Sequence, residues 1–150
     1  MTAVAELPAH VASGAPGFVA YHHLGLTVRD VEASEAWYEE VLGFVRAFVE
    51  PHHGGAGYAV VLTRPGTHVF LGLDHHADVD PSPFAANRAG LDHLAIAVAE
   101  RADLDEWATH LDARGVAHGG IVEGAEPMPH AVINFRDPDG IALELVWLEH

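Results

Sequence analysis

The 150-residue chain contains no cysteine. Disulfides and thiolate metal sites are thereby excluded, and the composition fits a cytoplasmic protein. Basic residues are scarce: seven Lys and Arg against 22 Asp and Glu give a formal net charge of −15. A surface of that sign repels nucleic acid and anionic membranes, so neither is an expected partner, while it attracts a metal ion or a basic small molecule. Long apolar runs are also missing. No stretch approaches the roughly 20 residues of a membrane span. The N-terminus lacks the basic-then-apolar order of a secretory signal, so none is expected. The hydrophobic fraction of 49% is ordinary, and the length suits one domain with its own core.

Histidine, by contrast, is abundant, with thirteen residues, several of them in adjacent pairs such as His22-His23, His52-His53 and His75-His76. Two of them sit in near-identical strings seventy positions apart, His23-Leu24-Gly25-Leu26-Thr27-Val28 and His93-Leu94-Ala95-Ile96-Ala97-Val98. A tryptophan follows each at the same distance, Trp37 and Trp107. One structural unit therefore occurs twice, and such a repeat constrains the fold more than local propensity does.

Residues 1–17, with two prolines and two glycines near their end, read as a loose lead-in to a single domain over 18–150. Module one spans about 18–74. It opens on an alternating strand, and Asp30 caps a helix whose apolar stripe is Val31, Ser34, Trp37, Tyr38, Val41 and Leu42. Gly43 stops that helix. Strands are expected over 44–50, 58–63 and 67–74, with a glycine-rich loop over 51–57. Residues 75–90 form the linker. Module two, 91–150, repeats the order: a strand over 91–99, and a helix opened by an Asp103/Glu106 capping box and ended by Gly115. Strands follow over 117–122, 130–136 and 141–148, the last two joined by the turn Asp137-Pro138-Asp139-Gly140. Each module is βαβββ. Trp37 and Trp107 lie on apolar stripes and read as core.

Strand alternation places the ligand candidates. Leu24, Leu26 and Val28 share the face that packs on the helix, so His23 stands on the other with Gly25 and Thr27. His93 does the same beside Ala95 and Ala97. In the last strand Leu143, Leu145 and Trp147 face the helix and Glu144 faces away. Small neighbours leave room there for an ion and a ligand. Two imidazoles and a carboxylate leave open positions on a divalent metal. The set suits Fe(II) first, and Zn, Mn, Co or Ni as alternatives.

The segments "HLGLTVRDVEASEAWYEEVLGF", "GLDHLAIAV" and "FRDPDGIALELVW" resemble the vicinal oxygen chelate superfamily, which includes glyoxalase I, extradiol dioxygenases, fosfomycin-resistance proteins and bleomycin-binding proteins. The resemblance spans roughly residues 18–148. It implies an α+β fold in which two tandem βαβββ modules form a cup-shaped mixed sheet with helices outside, often as a homodimer, the modules pairing within a chain or across two. It also implies that His23, His93 and Glu144 are metal ligands lining the cup. A fourth family position, Glu in glyoxalase I, falls here on Gly72, and Asp74 would substitute only through a shifted register.

The expected function is a metal-dependent enzyme acting on a small substrate with vicinal oxygens. Dioxygenase-type chemistry comes before glyoxalase-type lyase or isomerase chemistry, because Gly72 replaces a carboxylate. Glu144 and His130 are the candidate catalytic groups, His130 as an acid or base or else a loop-edge residue. Tyr58, His68 and Phe70 are candidate cavity walls, with ordinary strand packing as the alternative. His52, His53, His75 and His76 read as exposed loop residues. The fosfomycin branch is disfavoured for want of a basic cluster near Glu144. The rival function is a bleomycin-type binding protein that sequesters a cationic small molecule, which the acidic charge favours and the His-His-Glu set opposes.

Overall fold

The computed structural model describes residues 15–18 and 20–149. Most of the expected lead-in lies outside them. Module one runs β1 (Leu24–Thr27), α1 (Val31–Leu42), β2 (Val45–His52), β3 (Gly57–Thr63) and β4 (Phe70–His76). Module two repeats it as β5 (Leu94–Ala97), α2 (Asp103–Ala113), β6 (His118–Gly124), β7 (His130–Arg136) and β8 (Ala142–Leu148). Each module makes one four-stranded mixed sheet of the same order, β1-β4-β3-β2 and β5-β8-β7-β6. The first strand lies parallel to the last and the other pairs are antiparallel. The α+β architecture of two tandem βαβββ modules expected from the repeat is the architecture found.

Local chemistry sets the helix ends. The Asp30 side chain accepts a hydrogen bond from Ala33 N at 3.0 Å, satisfying one of the free N–H groups of the first turn of α1. Gly43 ends α1 in the left-handed region at φ 66°, where a Cβ is disfavoured, and its N–H donates to Glu39 O. The start of α2 differs from the expected capping box. Asp103 is the first helical residue rather than the cap, and its carboxylate accepts from Glu100 N at 2.9 Å. The side chain reaches back to the preceding turn, which is backbone support of a different kind.

Two loops are shorter than the sequence suggested. The 51–57 loop contracts to a single 3-10 turn, because β2 continues through Pro51 and His52. Pro51 is tolerated there because β2 is the sheet's edge and its missing N–H interrupts no second ladder. At the other side β4 continues through His75 and His76, which pair with Tyr58 and Gly57.

The helices cover one face of each sheet. Leu62, Leu71 and Leu73 beneath α1, and Ile133, Leu143 and Leu145 beneath α2, are at most 2% exposed. Each such side chain contributes on the order of 1.5–3 kcal/mol by leaving water. All belong to one core that joins both modules. Trp37 packs against Phe135 of module two at 6.4 Å between ring centroids. Trp107 lies under the Arg64 guanidinium at 6.0 Å. Both tryptophans are thus core-edge residues of the module junction.

The junction is closed by the turn between β7 and β8. Asp137 Oδ1 accepts from the N–H groups of Asp139 (2.9 Å) and Ile141 (2.8 Å), and the Tyr38 hydroxyl of α1 donates to its Oδ2 at 3.1 Å. Asp139 receives Arg29 Nε at 2.5 Å and the Ser34 hydroxyl at 3.4 Å. Both acids are under 9% exposed. Burial pushes the Tyr38 hydroxyl pKa far up, aided by the Asp137 charge, so Tyr38 remains a donor.

Two expectations follow. Tyr38→Phe leaves a buried carboxylate oxygen without its donor and lowers unfolding free energy by about 1–3 kcal/mol in urea titration. Burial raises the Asp137 pKa against the hydrogen bonds from Ile141, Tyr38 and Asp139 that lower it. The folded state then holds the proton more tightly than the unfolded chain. The contribution of this group to stability is therefore greatest in acid and is lost as pH rises from the ordinary carboxylate range through the raised value. Asp137→Asn keeps an acceptor for the two N–H groups and flattens that segment of the Tm-versus-pH curve. An unchanged slope would assign it to other carboxyls.

Candidate functional site

In module two the register of β8 sets Glu144 between Ala95 of β5 and Asn134 of β7. Its sequence neighbours Leu143 and Leu145 point into the core at 1% exposure, so the period of two turns Glu144 to the opposite face, where it is half-buried. His93 precedes β5 by one residue and continues its alternation on that same face. Its Nδ1 lies 2.7 Å from Asp92 Oδ1. The ring titrates above the ordinary histidine range. The Asp92 hydrogen bond raises it most, partial desolvation opposes, and the charges of Glu144 and Asp92 add to the rise. His93 and Glu144 are thus electrostatically coupled across the small side chain of Ala95.

In module one the equivalent face carries His23, Gly25 and Thr27 from β1 and its approach, and Phe70, Gly72 and Asp74 from β4. The ladder is in register, with Gly25 opposite Gly72 and Thr27 opposite Asp74. His23 is exposed and its Nδ1 lies 2.9 Å from His22 Nδ1. The His22 ring stacks on Phe70 at 6.0 Å. Phe70 is therefore on the histidine-bearing face, at the end nearest His23.

Two of the three expected ligands are brought together within the chain. Among the described residues, no group of three or more histidines and acidic side chains is close enough to hold one metal ion. His23 stands on the face of module one and the His93–Glu144 pair on the face of module two.

The remaining candidates are spread more widely. Tyr58 shares the helix-side parity of Val60 and Leu62 and stacks on His75 at 4.9 Å, so it does not border the His23 face. His68 is exposed in the turn before β4. His130 shares Glu144's face but pairs with Leu148, about 13 Å along β8 at ~3.3 Å per residue. There its Nδ1 donates to Met128 O at 2.9 Å and its ring covers Gly124. A groove of about 780 Å³ runs between α1 and α2, past Arg64, Trp107 and His110, but it follows the helix side of the sheets.

The sequence reading missed one arrangement. His52 and Asp74 meet on the His23-bearing face, with His52 Nε2 3.0 Å from Asp74 Oδ1 and both side chains about four-fifths buried. The other Asp74 oxygen leans over Gly25 and Gly72. The Asp74 carboxylate thus fills the space over Gly72 with the β1–β4 ladder in register. The available signal was the pair of strand glycines at equivalent places, neither needed for a turn.

The coupling around His93 gives an expected result for the metal-free protein. In an NMR titration Asp92→Asn lowers the His93 pKa more than Glu144→Gln does. Equal or reversed effects would mean that the Asp92 contact does not persist in solution.

The comparisons agree with this fold. The family model described as Glyoxalase/Bleomycin resistance protein/Dioxygenase superfamily matches residues 20–145. A glyoxylase/bleomycin resistance protein/dioxygenase domain from Frankia sp. EAN1pec is 28% identical with a TM-score of 0.78, over 89% of this chain and 100% of that one. A glyoxalase family protein from Enterococcus faecalis is 22% identical with a TM-score of 0.69, over 87% and 98%. A lactoylglutathione lyase from Agrobacterium tumefaciens is 22% identical with a TM-score of 0.63, over 87% and 94%. At that identity the last two show the fold alone. No curated protein matches the chain. With two βαβββ modules and a family match over most of its length, the chain belongs to the Glyoxalase/Bleomycin resistance protein/Dioxygenase superfamily.

Proposed function

We propose that the protein is a metal-dependent enzyme for a small substrate with adjacent oxygen atoms, working as a homodimer. In this reading His93 and Glu144 of one copy and His23 of a second hold one divalent cation, with Fe(II), Zn, Mn, Co or Ni as candidates. The observation that carries it is the placement of His93 and Glu144, on adjacent strands about Ala95, on one face that the core does not use. The donor set fits such an ion: one imidazole, one carboxylate and small neighbours, with the repeat supplying a second imidazole at the matching place of module one.

Support for the second copy comes from the packing. Contacts between the modules run through the helix side: His110 Nε2 donates to Val41 O at 2.8 Å, Arg114 pairs with Glu40 at 2.9 Å, and the β7–β8 turn closes on α1. The two histidine-bearing faces are turned away from that junction. The module-two face also leaves apolar side chains in water, Val122 at 54% and Leu148 at 39% exposure. A second copy would cover these and bring a module-one face onto a module-two face.

Held by His93, Glu144 and His23, a divalent ion would supply Lewis-acid polarisation of the substrate oxygens or, as Fe(II), redox chemistry with dioxygen. The protein's own groups do the rest. Glu144 and His93 fix the substrate's oxygen end, Phe70 borders the module-one side, and Ala95 and Gly25 leave the space. Gly72 itself carries no carboxylate, which points to dioxygenase-type chemistry, but the Asp74 carboxylate lies over it and favours proton-transfer chemistry of the lyase or isomerase kind.

A second reading has an observation behind it. Glu50, Asp74 and Glu144 stand on the same faces in a chain of charge −15, a setting that attracts a cationic ligand such as bleomycin.

Metal analysis after loading and desalting separates the readings. One ion per chain is expected, lost in His93→Ala and Glu144→Ala. Mixing His23→Ala with Glu144→Ala protein through a reversible dissociation step restores about one quarter of the wild-type sites, since half the dimers are mixed and each has one intact site. No recovery in mixed dimers would show that the three side chains do not meet across copies. Tight bleomycin binding by metal-free protein that takes up no metal would establish the second reading instead.

A further inference from the structure

The seven basic residues of the chain are all arginines. Arg29, Arg46, Arg101 and Arg114 are each met by a carboxylate. Arg64 donates to Leu42 O on the helix side, and Arg88 lies in the linker. Arg136 differs from all of these. It ends β7 and is exposed, and among the described residues no carboxylate pairs with it. Its side chain makes one hydrogen bond there, from Nη1 to Gly140 O at 2.7 Å. The edge formed by Nε and Nη2 is left open. In Arg46 that same edge grips both oxygens of Glu35. It is the two-pronged geometry by which a guanidinium recognises a carboxylate.

Strand register places this arginine beside the candidate site. Arg136 pairs with Ala142, two residues before Glu144 on β8, and Asn134 pairs with Glu144 itself. The period of two puts Arg136, Asn134 and Glu144 on one face, while Phe135 between them is buried at 4% exposure. Continuing the β5–β8 ladder by one residue sets His93 beside Ala142 from the other side. His93, Ala142 and Arg136 thus form one row across three strands, with only a methyl group in the middle. The ends of that row are two strand spacings apart, about 9.6 Å at ~4.8 Å each. An open cavity of about 870 Å³ takes in Arg136, Asn134 and Ala142. The other arginine within a strand, Arg46, is turned to Glu35 of α1 on the helix side. Among the described residues, Arg136 is therefore the one strand arginine on a histidine-bearing face.

We infer that Arg136 receives a carboxylate of the substrate. The substrate class is then a small molecule with adjacent oxygens at one end and a carboxylate at the other. This rests on the reading of the His93–Glu144 face as the place of the adjacent oxygens. Charge makes such a group necessary. A carboxylate that approaches a chain of charge −15 is repelled over most of its surface, and Glu144 stands one row from Arg136. A guanidinium with no carboxylate of its own offsets that repulsion without an existing ion pair having to break. The row also sets a size. Oxygens at the His93 end and a carboxylate at the Arg136 end suit a molecule about one ring in length. Arg136 takes no part in bond changes and acts as a specificity-determining residue.

The test titrates Zn(II)-loaded full-length protein with two probes by isothermal calorimetry. Comenate carries a hydroxyl and a carbonyl on neighbouring ring carbons and a carboxylate across the ring. Kojic acid is the same ring with a neutral hydroxymethyl group in place of the carboxylate. Wild-type protein binds comenate about 10–100-fold more tightly than kojic acid, the range expected of a charge-assisted contact. Arg136→Gln removes that preference, and it leaves the kojic acid Kd within about twofold and the metal content unchanged. Arg136→Lys recovers part of the preference, because an ammonium supplies the charge without the fork. No preference for comenate in the wild type, or the same preference in Arg136→Gln, overturns the proposal. Equal weakening of both probes in Arg136→Gln also overturns it, leaving Arg136 as a tie to the β7–β8 turn. A wild-type protein that takes up no metal refutes the preceding functional reading instead. The comenate preference of that metal-free protein, compared with Arg136→Gln, then upholds or overturns the role of Arg136 by itself.

Discussion

The arrangement of this protein depends on the docking of one turn. Asp137 and Asp139 flank a proline between β7 and β8, and both carboxylates are buried against module one. Buried charge is costly unless every oxygen is met. Here the turn's own N–H groups, the Tyr38 hydroxyl and the Arg29 guanidinium meet them. Gly140 completes the turn at φ 80°, a backbone state that a side chain would resist. The same four residues therefore reverse the chain within module two and fasten it to α1.

That fastening has a consequence for the site. With the helix sides joined, the apolar face of each sheet is consumed by the common core. The other faces are left to the small and polar residues, Gly25, Gly72, Ala95, Ala97, His23, His93 and Glu144. A sheet face free of bulky side chains is a place where a ligand can reach backbone-close positions. The division of labour follows from the period of two along each strand, so packing and function are set by alternate residues of the same eight strands.

Much of this was legible from residue order. The repeat of the His23 and His93 strings gave the number of modules, the alternation gave the faces, and Asp30, Gly43 and the Asp-Pro-Asp-Gly string gave the ends of elements. What was obscured came from hydrogen bonding that residue type alone does not specify. Pro51 argued for a loop, but an edge strand needs no N–H there, so β2 reaches His52. Asp103 and Glu106 matched a capping pattern, but hydrogen bonding to Glu100 N competes with capping at that short range. His52, His75 and His76 looked like loop residues because their strands are extended by ladder pairing with the start of β3, His52 and His76 with Gly57 and His75 with Tyr58.

The sequence by itself determined the fold class and the face on which each strand residue stands, because both depend on local periodicity and on a repeat within one chain. It also placed Glu144 and His93 on a common face. Only the tertiary structure decided which of those residues meet. Neighbours across a sheet are set by register and by the lean of individual side chains, so Asp74 reached the space over Gly72 with no sign in its own spacing. The separation of His23 from the His93–Glu144 pair was decided in the same way, by how the helix sides of two modules pack together, a property that belongs to neither module alone.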